Sequence, residues 1–533
     1  VEARLFARNG TALLAVSLAL AGTSCVFGID GKPPDPNQLY FPTGLVVSPG
    51  RTALYVANSD FDLQYAGGTL QVFDARGLRR AVGPLADALH DRAGAAAACQ
   101  AAGLSTNPDP YLNPGPCTSF SVGDFLEKTA FIGAFASSLL LVHDPNGPGA
   151  RLFSPVRGDP SLTYFDVEDD RTPPSEPSFR LDCNVGTDGF CGADHRVGRS
   201  AARSLRGLQL PPDPLGTSAS SDGLALVSAH QTQATTSLVV NPWNGQPYLS
   251  YFTNRLANGP MALATIPRPA LLSGAEAAAL AGGYAVNYRD AFLLSYRAAP
   301  QLDLVEYFPD SGSIPPRPFL VVARQFPLTV SASNVDSRGV AIVTTERTEC
   351  ETRCGGGADA LACQADCAEH VPLKLYVANR SPASLLTGRV HTVLVREADP
   401  AGGPSRITAI LHEITMHGSI PLDYGAAHVR IGKVVEEDGS FADRVFAVSF
   451  DSRSIAIVDP KLDTVEATVR TGRGPQELAV DYGTDDGEPY SLGYVAHFTD
   501  SYLGILHLDR RRPSTYGQII ASLGQPLPPA GSR

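Results

Sequence analysis

The stretch 446–475 reads Phe446-Ala447-Val448-Ser449, a polar turn Asp451-Ser452-Arg453, a run Ser454-Ile455-Ala456-Ile457-Val458, a turn Asp459-Pro460-Lys461-Leu462-Asp463, a third run from Thr464 to Arg470, and Gly472-Arg473-Gly474-Pro475. Apolar and polar residues alternate along each run, Val and Ile are frequent, and Gly, Pro and Asp stand at the ends. Half-buried antiparallel strands joined by tight turns require that pattern. The stretch is most of one four-stranded unit. The unit then starts again, with Leu478-Ala479-Val480, Leu492-Gly493-Tyr494-Val495-Ala496-His497, 502–509 and 518–523.

Such a sheet cannot bury both faces alone, so its repetition implies neighbouring sheets stacked face to face, which points to a β-propeller. At this spacing the residues resemble the YVTN family of propeller repeats, whose units read strand, Tyr-Val-Ala/Thr-Asn, polar turn, strand ending in Asp, strand, Gly-x-Gly-Pro. The matches are Leu54-Tyr55-Val56-Ala57-Asn58 with 70–74, Leu375-Tyr376-Val377-Ala378-Asn379, 445–475 and 493–509. The resemblance implies an all-β, seven-bladed β-propeller with small disulfide-stapled helical insertions. It implies little about function, because such propellers host binding proteins and enzymes alike.

Working outward, 215–230 repeats 43–58, with Gly216 against Gly44 and Ala225-Leu226-Val227-Ser228-Ala229-His230 against Ala53 to Asn58. Seven units are counted. The stretch 167–215 resists assignment, which leaves six and eight open. The 51 Gly and 43 Pro supply many turns, and charged residues make up 18% of the 533, below the roughly 25% of an average soluble domain. A net charge of -12 without a basic stripe argues against nucleic acid as a partner.

At the start, Arg4 and Arg8 precede an apolar run, 11–20, too short to span a bilayer, and then Ala21-Gly22-Thr23-Ser24-Cys25. That is the pattern of a signal peptide. Ala19-Leu20-Ala21 suits an ordinary signal peptidase, whereas small residues running into Cys25 resemble a bacterial lipobox, with Gly22 where Leu is usual. The expected organisation is a signal peptide (1–24), a lipidated Cys25 with a Pro- and Gly-rich tether (25–41), the propeller (42–525, with insertions 83–120 and 346–371) and a tail (526–533). The chain is expected in the cell envelope, touching the membrane through its anchor alone, as a monomer.

Nine cysteines minus Cys25 leave an even set, suited to disulfides in an oxidising compartment. Cys99 reaches Cys117 across a loop, and Cys183 and Cys191 bracket another. In Cys350-x3-Cys354-x8-Cys363-x3-Cys367, cysteines four apart share one helix face, so two short helices would pair Cys350 with Cys367 and Cys354 with Cys363. The rival for this last set is a four-thiolate zinc site.

Three constellations bear on chemistry. His412-Glu413-Ile414-Thr415-Met416-His417 looks like a zinc-protease signature, but its histidines are five apart in a β-rich run and face opposite ways. No Gly-x-Ser-x-Gly, phosphate loop or Cys-x-x-Cys-His is present. The third is positional. Repeat alignment puts Asn58, His230, Asn379 and His497 at equivalent ends of second strands, and His417 and His428 near blade-to-blade connections. Asp60, Asp451, Asp500 and Arg473 stand close by. These ten residues are the candidate ligand-binding set at the mouth of the central channel. Imidazoles and carboxylates there would hold a transition metal or move protons; the other reading makes them turn residues capping strand ends. No cofactor is otherwise expected. A binding or scaffold module for a protein, peptide or glycan is preferred, and the alternative is a propeller enzyme, a lactonase-like hydrolase or metal-dependent oxidoreductase, with its site at the mouth.

Overall fold

The computed structural model describes residues 31–528 except 90–91, 273–286, 310–313, 315–316, 329–335, 357–358 and 399–404. The expected signal peptide and Cys25 lie outside the described residues. Seven antiparallel sheets follow one another along the chain, so the protein is a seven-bladed β-propeller. Blade 1 is Pro42–Val47, Ala53–Asn58, Gly68–Asp74 and Leu126–Ile132. Blade 6 is Ala426–Val435, Phe441–Ser449, Ser454–Asp459 and Thr464–Arg470, and blade 7 runs from Pro475–Asp485 to Gln518–Leu523. The first strand of each blade is innermost, and Pro42–Val47 lies beside Pro475–Asp485 to close the ring.

Half-burial holds only at the rim. The second strand of blade 1 is buried at all six positions, and so is the third strand of blade 7, Tyr502–His507. These strands have a blade on each face, so both sides of the pleat are dry and the alternation seen in sequence carries no inside and outside. Val448, Ile455 and Ile457 of blade 6 pack with Leu478, Val495 and Leu506 of blade 7 in one such layer. Each such side chain contributes about 1.5–3 kcal/mol by leaving water. The outermost strand Thr464–Arg470 is exposed or half-buried at every position but Val469.

The stretch that resisted assignment is the outer edge of blade 2. Two short strands, Leu181–Asp182 and Arg196–Val197, both pair with Ser161–Val167. The edge is held by other means: the Cys183–Cys191 bond, the Arg196 Nε donating to the Cys191 carbonyl at 2.7 Å, and His195 stacked on Tyr164 at 4.1 Å.

All four cysteine pairs form as expected: Cys99–Cys117, Cys183–Cys191, Cys350–Cys367 and Cys354–Cys363. The last two join the helices Thr345–Arg353 and Ala360–His370, so no thiolate of that set is left for zinc. The first insertion, between Asp74 and Leu126, reaches across the seam between the first and last blades. Its helix Ala75–Ala88 buries Leu78, Val82 and Leu85 in one cluster with Leu54 and Phe73 of blade 1 and Leu492, Tyr494 and Ile505 of blade 7. Arg79 from this helix reaches Asp481 of blade 7 at 2.8 Å, both nearly dry. Farther on, Phe120 exchanges backbone hydrogen bonds with Ser522 (2.8 Å) and Gly524 (3.0 Å), extending the outer edge of blade 7. Among the described residues no strand is shared between the first and last blades; this insertion takes that role.

Candidate functional site at the channel mouth

Register confirms the positional equivalence on which the candidate set was built. Pro42 pairs with Asn58, Pro214 with His230, Ser337 with Asn379 and Pro475 with His497, each at the start of a first strand and the end of a second. The side chains at these strand ends turn into the blade, and all four are fully buried. Asn58 accepts the Tyr40 N–H at 3.0 Å and donates to Thr69 and Gln71. His230 bonds the Pro212 carbonyl at 3.2 Å and the Ser237 hydroxyl at 2.8 Å, so its proton is on Nδ1 and Nε2 accepts. Asn379 donates to the Pro382 carbonyl at 2.7 Å. His497 accepts the Gly472 N–H at 3.1 Å and stacks flat on Tyr502, 4.1 Å away. Burial pushes His230 down to about 4 and His497 to about 3. Three of the four tie the linker ahead of the blade to the blade itself. None of them lines the cavity described below.

Two of the three acidic members form ion pairs around the rim. Asp451 of blade 6 pairs with Arg380 of blade 5. Asp500 of blade 7 takes a fork from Arg473 in the linker before it, with Nε at 2.9 Å. Asp60 is buried in a left-handed turn (φ 48°), accepts the Tyr65 N–H at 3.2 Å, and has no partner for Oδ2 among the described residues. Burial, with Asp62 adding, pushes its carboxyl up to about 7. His417 is exposed on the outermost strand of blade 5, Arg406–Pro421, away from the mouth. That strand continues to Pro421, so the connection to blade 6 begins later than the repeat alignment implied.

The mouth itself encloses a cavity of about 370 Å³. Two positions that recur in most blades supply much of its lining. One is the residue after the second strand: Ser59, Arg157, Gln231, Arg297 and Phe498 face the cavity from blades 1, 2, 3, 4 and 7. The other is the second or third residue of the first strand, where the register shifts: Thr43, Leu215, Met261, Arg338, His428 and Gln476. A bulge there turns a side chain toward the axis. The candidate set therefore stopped one residue short of the functional position at most strand ends. The signal that would have found it is the variation after the strand end, where polar, cationic and aromatic residues replace one another while blades 1, 3, 5 and 7 keep Asn or His at the end itself.

Chemically the cavity has two sectors. Phe61, Phe135 and Phe498 form one, with ring centroids 5.8 Å (Phe61 to Phe135) and 5.1 Å (Phe61 to Phe498) apart. Arg297, Arg338, Arg430 and His428 form the other, with Arg157 beside it. Their counter-charges sit behind the lining: Arg157 on Asp213, Arg297 and Arg338 sharing Asp336, Arg430 on Glu477. His428 lies 3.9 Å from Glu477, and Gln476 Nε2 donates to its Nε2 at 3.3 Å, which leaves the ring proton on Nδ1. Burial, with Arg430 and Arg338 opposing Glu477, pushes His428 down to about 4. Among the described residues no third His, Cys, Asp or Glu joins His428 and Glu477 within metal-ligand reach.

No family model matches the chain, and no curated protein matches it. Among solved structures it is similar to a putative 6-phosphogluconolactonase from Bacteroides uniformis, at 12% identity and a TM-score of 0.41 over 84% of this chain and 88% of that one. It is also similar to hydrazine synthase of Kuenenia stuttgartiensis, at 10% identity and a TM-score of 0.39 over 91% and 99%. A third is the periplasmic gluconolactonase of Pseudomonas aeruginosa, at 11% identity and a TM-score of 0.37 over 82% and 87%. At these values the likenesses carry no chemistry across, and the propeller rests on the order of the seven sheets.

Proposed function

We propose that the protein is an exported, lipid-anchored propeller of the YVTN repeat type that works as a binding module, its ligand seated in the channel mouth. One observation carries the reading. The cavity gathers side chains whose polar atoms are not used up by the fold, whereas three of the four buried strand-end residues spend theirs on linkers. Four disulfides support an oxidising compartment, and the charged, apolar and small-residue order of 1–25 supports export and acylation at Cys25. The partner is a component of the cell envelope, and the net charge of -12 argues against nucleic acid. The chain acts as a monomer. A second reading keeps the same cavity and makes it hydrolytic, with His428 as general base beside Glu477; this predicts that His428→Asn abolishes turnover and spares binding.

The test is a thermal-shift screen of envelope peptides, glycans and small acids against the parent chain and an Arg297→Gln/Phe61→Ala variant. A ligand that raises the parent's Tm and loses its effect in the variant supports the mouth as the site. Stabilisation that survives both changes moves the site elsewhere. Intact mass of the exported chain, beginning at Cys25 with added acyl groups, checks the anchor.

A further inference from the structure

We infer that the mouth cavity takes an organic oxyanion, a carboxylate or phosphate carried on an apolar ring; this rests on the binding reading above and adds the ligand's chemistry to it. Four guanidiniums line the cavity, and among the described residues no carboxylate does. The three carboxylates that answer them, Asp213, Asp336 and Glu477, stand one layer back, so a ligand entering from solvent meets donors first. The chain as a whole carries a net charge of -12. A cationic lining is not what its composition would scatter there.

The pairing leaves donors unspent. Arg157 engages Asp213 through Nε, and Arg297 engages Asp336 through Nε. Arg338 lays Nε and one terminal nitrogen on the same Asp336. Both terminal nitrogens of Arg157 and of Arg297, and one of Arg338, have no hydrogen-bond partner among the described residues. If these arginines served only to staple blade 2 to the linker before blade 3 and blade 4 to blade 5, Nε would suffice. The remaining planar N–H edges match the two oxygens of a carboxylate or phosphate. Across from them Phe61 is 52% exposed within a cluster of rings, an arrangement that offers an apolar body something to lie against. A volume of about 370 Å³ sits at the small end of ligand sites, enough for one ring with its acidic group.

Isothermal titration of the full chain with 3-phenylpropionate, phenyl phosphate, 3-phenylpropanamide, acetate and inorganic phosphate tests this. One of the two aromatic anions is expected to bind at least about tenfold tighter than the amide and than either small anion, and which one leads identifies the headgroup. Arg297→Gln, whose partner Asp336 keeps Arg338, is expected to weaken the aromatic anion by about ten- to a hundredfold and leave the amide unchanged. Phe61→Ala is expected to weaken anion and amide together and leave acetate alone. Equal affinity for acid and amide, unaffected by Arg297→Gln but lost in Phe61→Ala, overturns the oxyanion while the mouth stands as a binding site. Heats untouched by either substitution overturn both, and absence of binding by every aromatic anion overturns the inference.

Discussion

Asp60 illustrates how a single carboxyl sets a pH response. Its carboxyl is pushed from the ordinary 3.8 up to about 7, chiefly by burial. The folded chain therefore keeps that proton where the unfolded chain has released it. The stability it lends is whole below pH 3.8 and is lost as pH rises through 7. Asn tolerates the left-handed turn and keeps the acceptor for Tyr65. Asp60→Asn should thus leave Tm at pH 4 nearly unchanged and raise it at pH 8 by about 1–3 °C, as scanning calorimetry would show. His230 and His497 act in the opposite direction. With folded values pushed to about 4 and about 3 by burial, they refuse protons that the unfolded chain accepts below 6.5. Stability present above pH 6.5 is lost as the pH falls toward 4. His230→Asn, which installs the residue that blades 1 and 5 already use, should flatten that acid limb of a Tm-against-pH curve and change Tm at pH 7.5 little. These strand-end residues were visible in sequence as a repeating position. Their inward direction was not, because alternation along a doubly buried strand does not say which side faces the axis.

At the scale of the element, the linker between blades 6 and 7 is shaped by what it must pass. A Cβ on Gly472 would come within 1.9 Å of the Tyr502 hydroxyl and 3.2 Å of the His497 ring. Gly472→Ala should cost about 1–3 kcal/mol in denaturant unfolding. Because the Tyr502 hydroxyl is buried without a partner among the described residues, Tyr502→Phe should be close to neutral alone and recover part of that loss in the double variant. A purely additive cycle would show that the clash is relieved some other way. Blades 1, 6 and 7 were legible because each keeps regular strands joined by short polar turns, with Asn58 and His497 closing second strands in blades 1 and 7 and Gly474-Pro475 linking blades 6 and 7. The edge of blade 2 was not, because a disulfide, an Arg-carbonyl bond and a ring stack hold it, and none of these leaves a period. The arginine sector escaped notice for a related reason. Arg157, Arg297 and Arg338 come from three blades separated by irregular connections, and only the ends of two second strands and the bulge in the first strand of blade 5 bring them to one cavity.

For the whole molecule the decisive element is the insertion across the seam. Sequence suggested a small helical insertion, 83–120, stapled by Cys99–Cys117. Its helix proves to be shared core between the first and last blades, with Arg79–Asp481 buried at the junction. Asp481 also receives the hydroxyls of Tyr490 and Tyr494, each at 3.2 Å. Arg79→Met strands that carboxylate in a dry site and should cost about 3–5 kcal/mol. Hydrogen exchange should then quicken in blades 1 and 7 before blade 4; a uniform rise around the ring would argue against a seam. The clasp also bears on how the chain is made. Every blade is complete in sequence before the next begins, so a nascent chain leaving the ribosome or crossing a translocon builds blades in order, and the first blade's free face waits for residues 475–523 to arrive. Until then the helix Ala75–Ala88, next to emerge after Asp74, is the apolar cover at hand for that face, shielding it from aggregation during the longest delay in the ring's assembly.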